Sequence, residues 1–262
     1  MRSRSTLLSQ ARTVVAEYYS VPLLLLVWEI AARLGVAPAY FLPSVSAILA
    51  QAAADFSDGA LLASTGATLY RIALSYAAAI LIGVPLGVAM ARLRWVKWFF
   101  DPLISFGFPA PKIAFFPILV LWFGLGNVPM VVLTTIECIF PIVSATYLGT
   151  ASVDRNIVWS AQNLGTRGPA LLVRIFVPAA LPQILNGLQV ALPIAFIVMI
   201  VCEMLTGGIG LGGYLIQGYR FAISTNVFAG LFLIGLLGYG LMAAFSWLRR
   251  TFLVWHQEGL ND

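Results

Sequence analysis

Three ionisable side chains lie inside apolar stretches: Lys112 in "FPAPKIAFFPILVLWFG", Glu137 in "VVLTTIECIF" and Glu203 in "VMIVCEMLTGG". A charge in hydrocarbon is expensive, so each is a functional candidate by default. Two chemistries fit them. A lysine beside a translocation path attracts a passing anion. Alternatively, a Lys112–Glu137 or Lys112–Glu203 ion pair holds membrane helices together, and this pairing is the favoured reading. Four residues on from Glu203 begins "GGIGLGG", five glycines in the seven residues 207–213. Glycine permits close backbone approach and unusual dihedrals. Gly208, Gly210 and Gly212 are therefore candidates for a gate or for a partner-docking surface on the outer side, and Lys112, Glu137 and Glu203 are candidates for the path or its gate.

Other chemistries find no residues to carry them. The chain has no G-x-x-x-x-G-K-[ST] loop, and neither Lys97 nor Lys112 follows a glycine. It cannot cradle ATP phosphates in that way. The single histidine, His256, lies in the C-terminal tail. No nucleophile–base pair, paired-carboxylate motif or metal-ligand cluster is recognisable, so no catalytic residue and no metal site is assigned. Cys138 and Cys202 sit in apolar runs and read as small buried residues, not as a disulfide.

The elements that position these residues follow from composition. Of 262 residues, 61% are hydrophobic and 10% charged, and the mean hydropathy is +0.95. A soluble globular chain is nearer half apolar and a quarter charged. The surplus is meant for lipid, and the net charge of +5 reports orientation, not nucleic-acid binding. Six segments are long enough to cross, at about 20 apolar residues each: roughly 17–34, 65–91, 101–123, 128–149, 184–206 and 227–248. The first is the weakest, because Glu29 and Arg33 fall in its last turns, spaced i,i+4 to pair. No small-x-small cleavage site followed by a soluble domain appears, and the segment reads as an anchor that stays.

Charge sets the orientation. Arg2, Arg4 and Arg12 precede the first span. Arg92, Arg94 and Lys97 follow the second, Arg155, Arg167 and Arg174 the fourth, and Arg249 and Arg250 the sixth. The exceptions are Arg33, Arg71, Lys112 and Arg220. The positive-inside rule places both ends in the cytoplasm, with 1–16 as a cytoplasmic segment. The stretch "PSVSAILAQAAADFSDG" is too short to span and reads as a surface helix capped by Ser44 or Ser46. Gly83 and Gly87 form a small-xxx-small pair, and Gly230, Gly235 and Gly238 give the last span a similar face. Prolines 85, 109, 111, 117, 129, 141 and 193 kink helices or mark their ends. Arg220 is an outward base, by default a solvated loop residue. There is no internal repeat or linker, and one membrane domain accounts for 1–262.

Between the fourth and fifth spans lies a semi-polar insert, 150–183, containing "SAQNLGTRGPALLVRIFVPAALPQIL". A helix over 156–164 ends at Gly165 in a left-handed cap. A second starts near Gly168-Pro169 and runs to Phe176, where Pro178 and Pro182 break or redirect it. The result is a helix–turn–helix on the cytoplasmic face. It either docks into a groove on a soluble partner or rests on lipid headgroups.

This insert resembles the coupling loop of ABC-importer permeases, E-A-A-x-x-x-G-x9-I-x-L-P. Gly165 falls on the family glycine, Ile175 on its isoleucine, Val177-Pro178 on its Leu-Pro, and Ala161 on its second alanine. Trp159 stands where the family often has Glu, and Ser160 where it has Ala. The resemblance extends along the chain through "FLPSVSAIL", "TLYRIALSYAAAILIGVPLGVAMA", "FPAPKIAFFPILVLWFGLG" and "VCEMLTGGIGLGGYL". It points to the nitrate, sulfonate and taurine branch, some members of which carry vitamin precursors. The resemblance implies an all-α inner-membrane permease in a bacterial cell, with six spans and a cytoplasmic coupling helix between the fourth and fifth. It implies a separate ATPase subunit that binds ATP and Mg, an extracytoplasmic binding protein, and no cofactor on this chain. Residues at the ATPase boundary would be Ser160, Ala161, Asn163, Leu164, Gly165, Arg167, Arg174, Ile175 and Pro178. Glu203 matches a family residue and would pin an outer gate through the glycine loop. Six helices make a thin wall for a polar path, so a homodimer is expected. The rival reading is a channel or secondary transporter without an ATPase. That reading calls for midplane coupling carboxylates and often inverted repeats, and Glu137 is present without any repeat.

Overall fold

A computed structural model describes residues 19–253. The segment 1–16 with Arg2, Arg4 and Arg12, and His256 in the tail, lie outside the described residues. Among the described residues every regular element is helical. Helix α1 spans Ser20–Arg33, α2 Val45–Ser57 and α3 Ala60–Arg92. α4 spans Arg94–Gly107, and a 3-10 turn at Lys112–Phe115 leads into α5, Phe116–Phe123. α6 covers Asn127–Ala151 and α7 Arg155–Asn163. α8 runs Pro169–Thr206, α9 Leu211–Arg220 and α10 Ser224–Phe252.

Four helices are long and apolar enough to cross a membrane: α3, α6, α8 and α10. The expected third span, 101–123, is not straight. α4 and the Lys112–Phe123 piece meet at 92°. Pro109 and Pro111 supply no N–H at the break, and a proline ring collides with the carbonyl four residues back. The expected first span is α1, only 14 residues long within the described chain, about 21 Å at 1.5 Å per residue. Glu29 does pair with Arg33 at 2.7 Å, and the same carboxylate accepts the Ser46 backbone N–H at 3.1 Å. The expected short helix forms as α2, with Ser44 accepting from Ala47 N at 3.3 Å.

α3, α6 and α8 form the core. α3 and α6 run side by side in the same direction, and α8 runs antiparallel to both. The contacts are close because glycines remove side chains from them. A Cβ on Gly83 would meet Ile142, and one on Gly87 would meet Thr146 Cβ at 2.6 Å. A Cβ on Gly149 would meet Gln183 Cβ, and one on Gly187 would meet Ala145. Dispersion over such a close approach is what holds helices together in lipid. The last span differs from expectation. A Cβ at Gly235 would meet nothing within 4 Å, and only Gly238, against Phe196, and Gly230, against Tyr214, touch neighbours. α10 lies at the periphery of the protomer, and its outer face is left for lipid or another chain. Cys138 and Cys202 are buried and free, as read.

Candidate coupling helix and outer lock

The insert is built at its start by side-chain capping. Asp154 accepts the Asn156 N–H at 2.8 Å and opens α7. At its end Gly165 has φ +88°. The Gly165 N–H donates to Gln162 O at 3.0 Å and the Thr166 N–H to Ala161 O at 2.9 Å. This is a complete Schellman cap, which only a glycine adopts without strain. α7 is thus a short rigid rod with a defined stop. Ala161 faces inward onto Leu171 and Phe176. Ser160, Asn163, Leu164, Gly165, Arg167 and Arg174 are exposed, Ile175 is half-buried, and Pro178 is exposed.

The second part of the insert is a correction to the expected helix–turn–helix. Pro178 and Pro182 do not break the helix that starts at Pro169. It continues as α8 through to Thr206, 38 residues in all. Residues Leu172–Phe176 form a π turn, and the Val177 N–H donates to Leu172 O, five residues back. The wider turn absorbs one extra residue just before Pro178, which has no N–H to place. The stretch outside regular spans therefore shrinks from 150–183 to 152–168. The insert is joined directly to a rod about 57 Å long.

At the far end of that rod stands Glu203, fully buried. Its carboxylate accepts from Arg71 Nη1 at 2.6 Å and from the Gly212 N–H at 3.1 Å. The Thr68 hydroxyl lies 2.9 Å and 3.0 Å from its two oxygens. Thr68 Oγ1 in turn accepts the Leu211 N–H at 2.9 Å. Arg71 also donates to Ile209 O at 2.6 Å and, through Nε, to Asn127 Oδ1 at 2.7 Å. One guanidinium thus joins α3, the end of α8, the glycine loop and the start of α6. The glycines make this possible. Gly210 has φ +148°, and a Cβ there would run into the Glu203 carboxylate. A Cβ at Gly212 would meet Ile200 O and Glu203 Cβ, whereas Gly208 has open space. Arg220 is exposed, with its guanidinium near Gly207.

Lys112 is engaged elsewhere. Its Nζ lies 3.1 Å from Glu137 Oε2 and donates to Gly107 O at 2.8 Å and Ala110 O at 3.2 Å. The ammonium also sits 4.4 Å from the Phe140 ring centroid. It satisfies carbonyls freed at the end of α4, as lysines do at helix C-termini, and clamps the broken span to α6. Of the two pairings weighed, Lys112–Glu137 forms and Lys112–Glu203 does not. Arg71 is the residue that sequence reasoning passed over. The charge count places it among the exceptions, yet the cost argument applied to Lys112 applies equally to an arginine inside a span. With Thr68 and Ser75 it repeats at helical spacing along one face of α3, a signal readable in advance.

Residues 83–253 match the family model described as "Binding-protein-dependent transport system inner membrane component". The chain belongs to this family. It is 30% identical to the taurine transport system permease protein TauC of Escherichia coli strain K12, over 95% of this chain and 92% of that protein. It is 33% identical to the formylaminopyrimidine transport permease protein ThiX of Halalkalibacterium halodurans, over 90% of this chain and 94% of that one. The fold is that of a chain of the inward-facing MetNI methionine ABC transporter, with TM-score 0.61, 19% identity, 74% of this chain covered and 96% of that one. The protein is thus a non-catalytic permease subunit of an ABC importer, a multi-pass component of the inner membrane.

Proposed function

We propose that this permease imports a small anion of the sulfonate or taurine type, or a small vitamin precursor, handed over by an extracytoplasmic binding protein. TauC and ThiX, similar over nine-tenths or more of this chain, support that range. ATP and Mg are held by a separate ATPase, whose closure pushes on α7 and the exposed residues Ser160, Asn163, Leu164, Gly165, Arg167 and Arg174. The observation that carries the reading is the continuity of α8. A single helix joins the capped insert to Glu203 and the glycine loop. Displacement of the inner end is carried along this continuous helix to the outer lock, so opening alternates between the two sides. Gly208, Gly210 and Gly212 belong to the outer gate. Lys112 and Glu137 hold the broken span beside it.

In this reading the chain crosses six times with both ends in the cytoplasm. α3, the bent pair, α6, α8 and α10 supply five crossings, and α1 belongs to the sixth. The alternation leaves Arg92, Arg94, Arg155, Arg167, Arg249 and Arg250 on one side, as the positive-inside rule requires. Two permeases face one another as a homodimer to enclose the path. The test is copurification from mild detergent, with a cysteine at Ser160→Cys for crosslinking. An ATPase at one copy per permease is the expected result. A clean homo-oligomer, free of ATPase after crosslinking, would replace this reading with a channel or secondary transporter.

A further inference from the structure

A pocket of about 450 Å³ opens where the ends of α3 and α6 meet α7, lined by Arg92, Thr150, Arg155, Trp159 and Gln162 over Phe176. Its two arginines are exposed and outside any ion pair. Among the described residues the ion pairs are Arg33–Glu29, Arg71–Glu203 and Lys112–Glu137, and neither Arg92 nor Arg155 joins one. Arg92 is instead held in place by stacking, 4.1 Å above the Phe176 ring centroid. The third observation is independent of charge. Thr150 is 2% exposed, and its Oγ1 has no hydrogen-bond partner. Thr65, Thr135 and Thr206 each donate to the carbonyl four residues back. On α6 the buried hydroxyls of Thr134, Thr146 and Thr150 do not, and of these three Thr150 alone lines this pocket. A buried hydroxyl left unpaired is costly, so this pocket wall lacks an acceptor.

Two arginines and a hydroxyl that needs an acceptor make a set suited to phosphate oxygens, which guanidinium groups bind in a fork. The pocket lies at the ends of two spanning helices, on the side read as cytoplasmic, with Trp159 exposed beside it, as tryptophans are at membrane interfaces. Anionic lipids enrich that leaflet, and basic pockets between spanning helices bind their headgroups. We propose that this pocket is a phosphate site filled by an anionic phospholipid headgroup, wedged between α7 and the ends of α3 and α6. The inference rests on the cytoplasmic placement of α7 proposed above. A lipid there seats the coupling helix on the membrane as well as on the protein core, so its position responds to lipid composition.

The test is native mass spectrometry of the delipidated full chain, titrated with phosphatidylglycerol and with phosphatidylcholine. Phosphatidylglycerol adducts are expected to dominate. Arg92→Gln with Arg155→Gln weakens them about tenfold or more, and Thr150→Val weakens them several-fold without changing charge. Arg94→Gln with Arg250→Gln removes the same charge outside the pocket and leaves binding unchanged. Equal loss in that control would reduce the site to general surface attraction and overturn the proposal. Displacement of the adducts by inorganic phosphate would assign the site to the free anion instead of lipid. Loss of ATPase association with lipid binding unchanged would hand the pocket to the partner protein. Lipid selectivity in detergent does not depend on sidedness, which is read separately by thiol labelling in intact cells.

Discussion

At the scale of single residues, the network around Glu203, proposed above as the outer lock, depends on one guanidinium. Arg71 faces Glu203, Asn127 and the Ile209 carbonyl together. Removing it leaves a fully buried carboxylate without its counter-charge, a loss of about 3–5 kcal/mol in comparable buried pairs. Arg71→Leu is therefore expected to lower the thermal unfolding midpoint of the detergent-solubilised protein markedly. Arg71→Leu with Glu203→Leu restores a substantial part of that loss, because no charge is then stranded. A double variant as unstable as the single one would show that the pair itself contributes little. Neither residue could be paired from spacing alone, being 132 positions apart in the chain.

At the scale of elements, the proposed coupling rests on the cap of α7 and on the continuity of α8. Gly165 holds φ +88°, whereas proline is locked near −65°. Gly165→Pro therefore removes the Schellman cap and the angle at which α7 enters the turn. Membrane insertion and ATPase association are expected to persist while substrate-stimulated uptake falls to background. Reconstituted vesicles measure this directly, with hydrolysis and transport followed in the same preparation. Uptake at the unmodified level in that variant would remove the coupling role from this helix. The cap was readable in advance, because a glycine after a helical run is a stop signal. The fate of Pro178 was not. Whether a proline ends a helix or sits on a π turn depends on what the freed carbonyls meet in three dimensions.

At the scale of the whole molecule, the lock and the insert lie at opposite ends of α8. A single-cysteine series follows from this arrangement. Ser160→Cys is expected to resist a membrane-impermeant thiol reagent in intact cells and to react in inverted vesicles. Ile209→Cys, in the exposed glycine loop, is expected to show the reverse. Both native cysteines are buried and contribute little background. Labelling of both positions from one side would overturn the six-span topology.

The apolar excess, the semi-polar insert and the run of glycines by themselves determined a membrane-embedded helical chain, the capped helix at 155–163 and the expectation of an orientation from its arginines. These are properties of composition and local periodicity, which act through solvent and the nearest turn. The tertiary structure decided three things. Lys112 chooses Glu137 over Glu203, Arg71 becomes the centre of the network around Glu203, and α4 meets the Lys112–Phe123 piece at 92°. Each is settled by which helices approach closely enough to exchange partners. Those approaches are made by glycines such as Gly87 and Gly212, at positions where a Cβ would meet the neighbouring helix or loop.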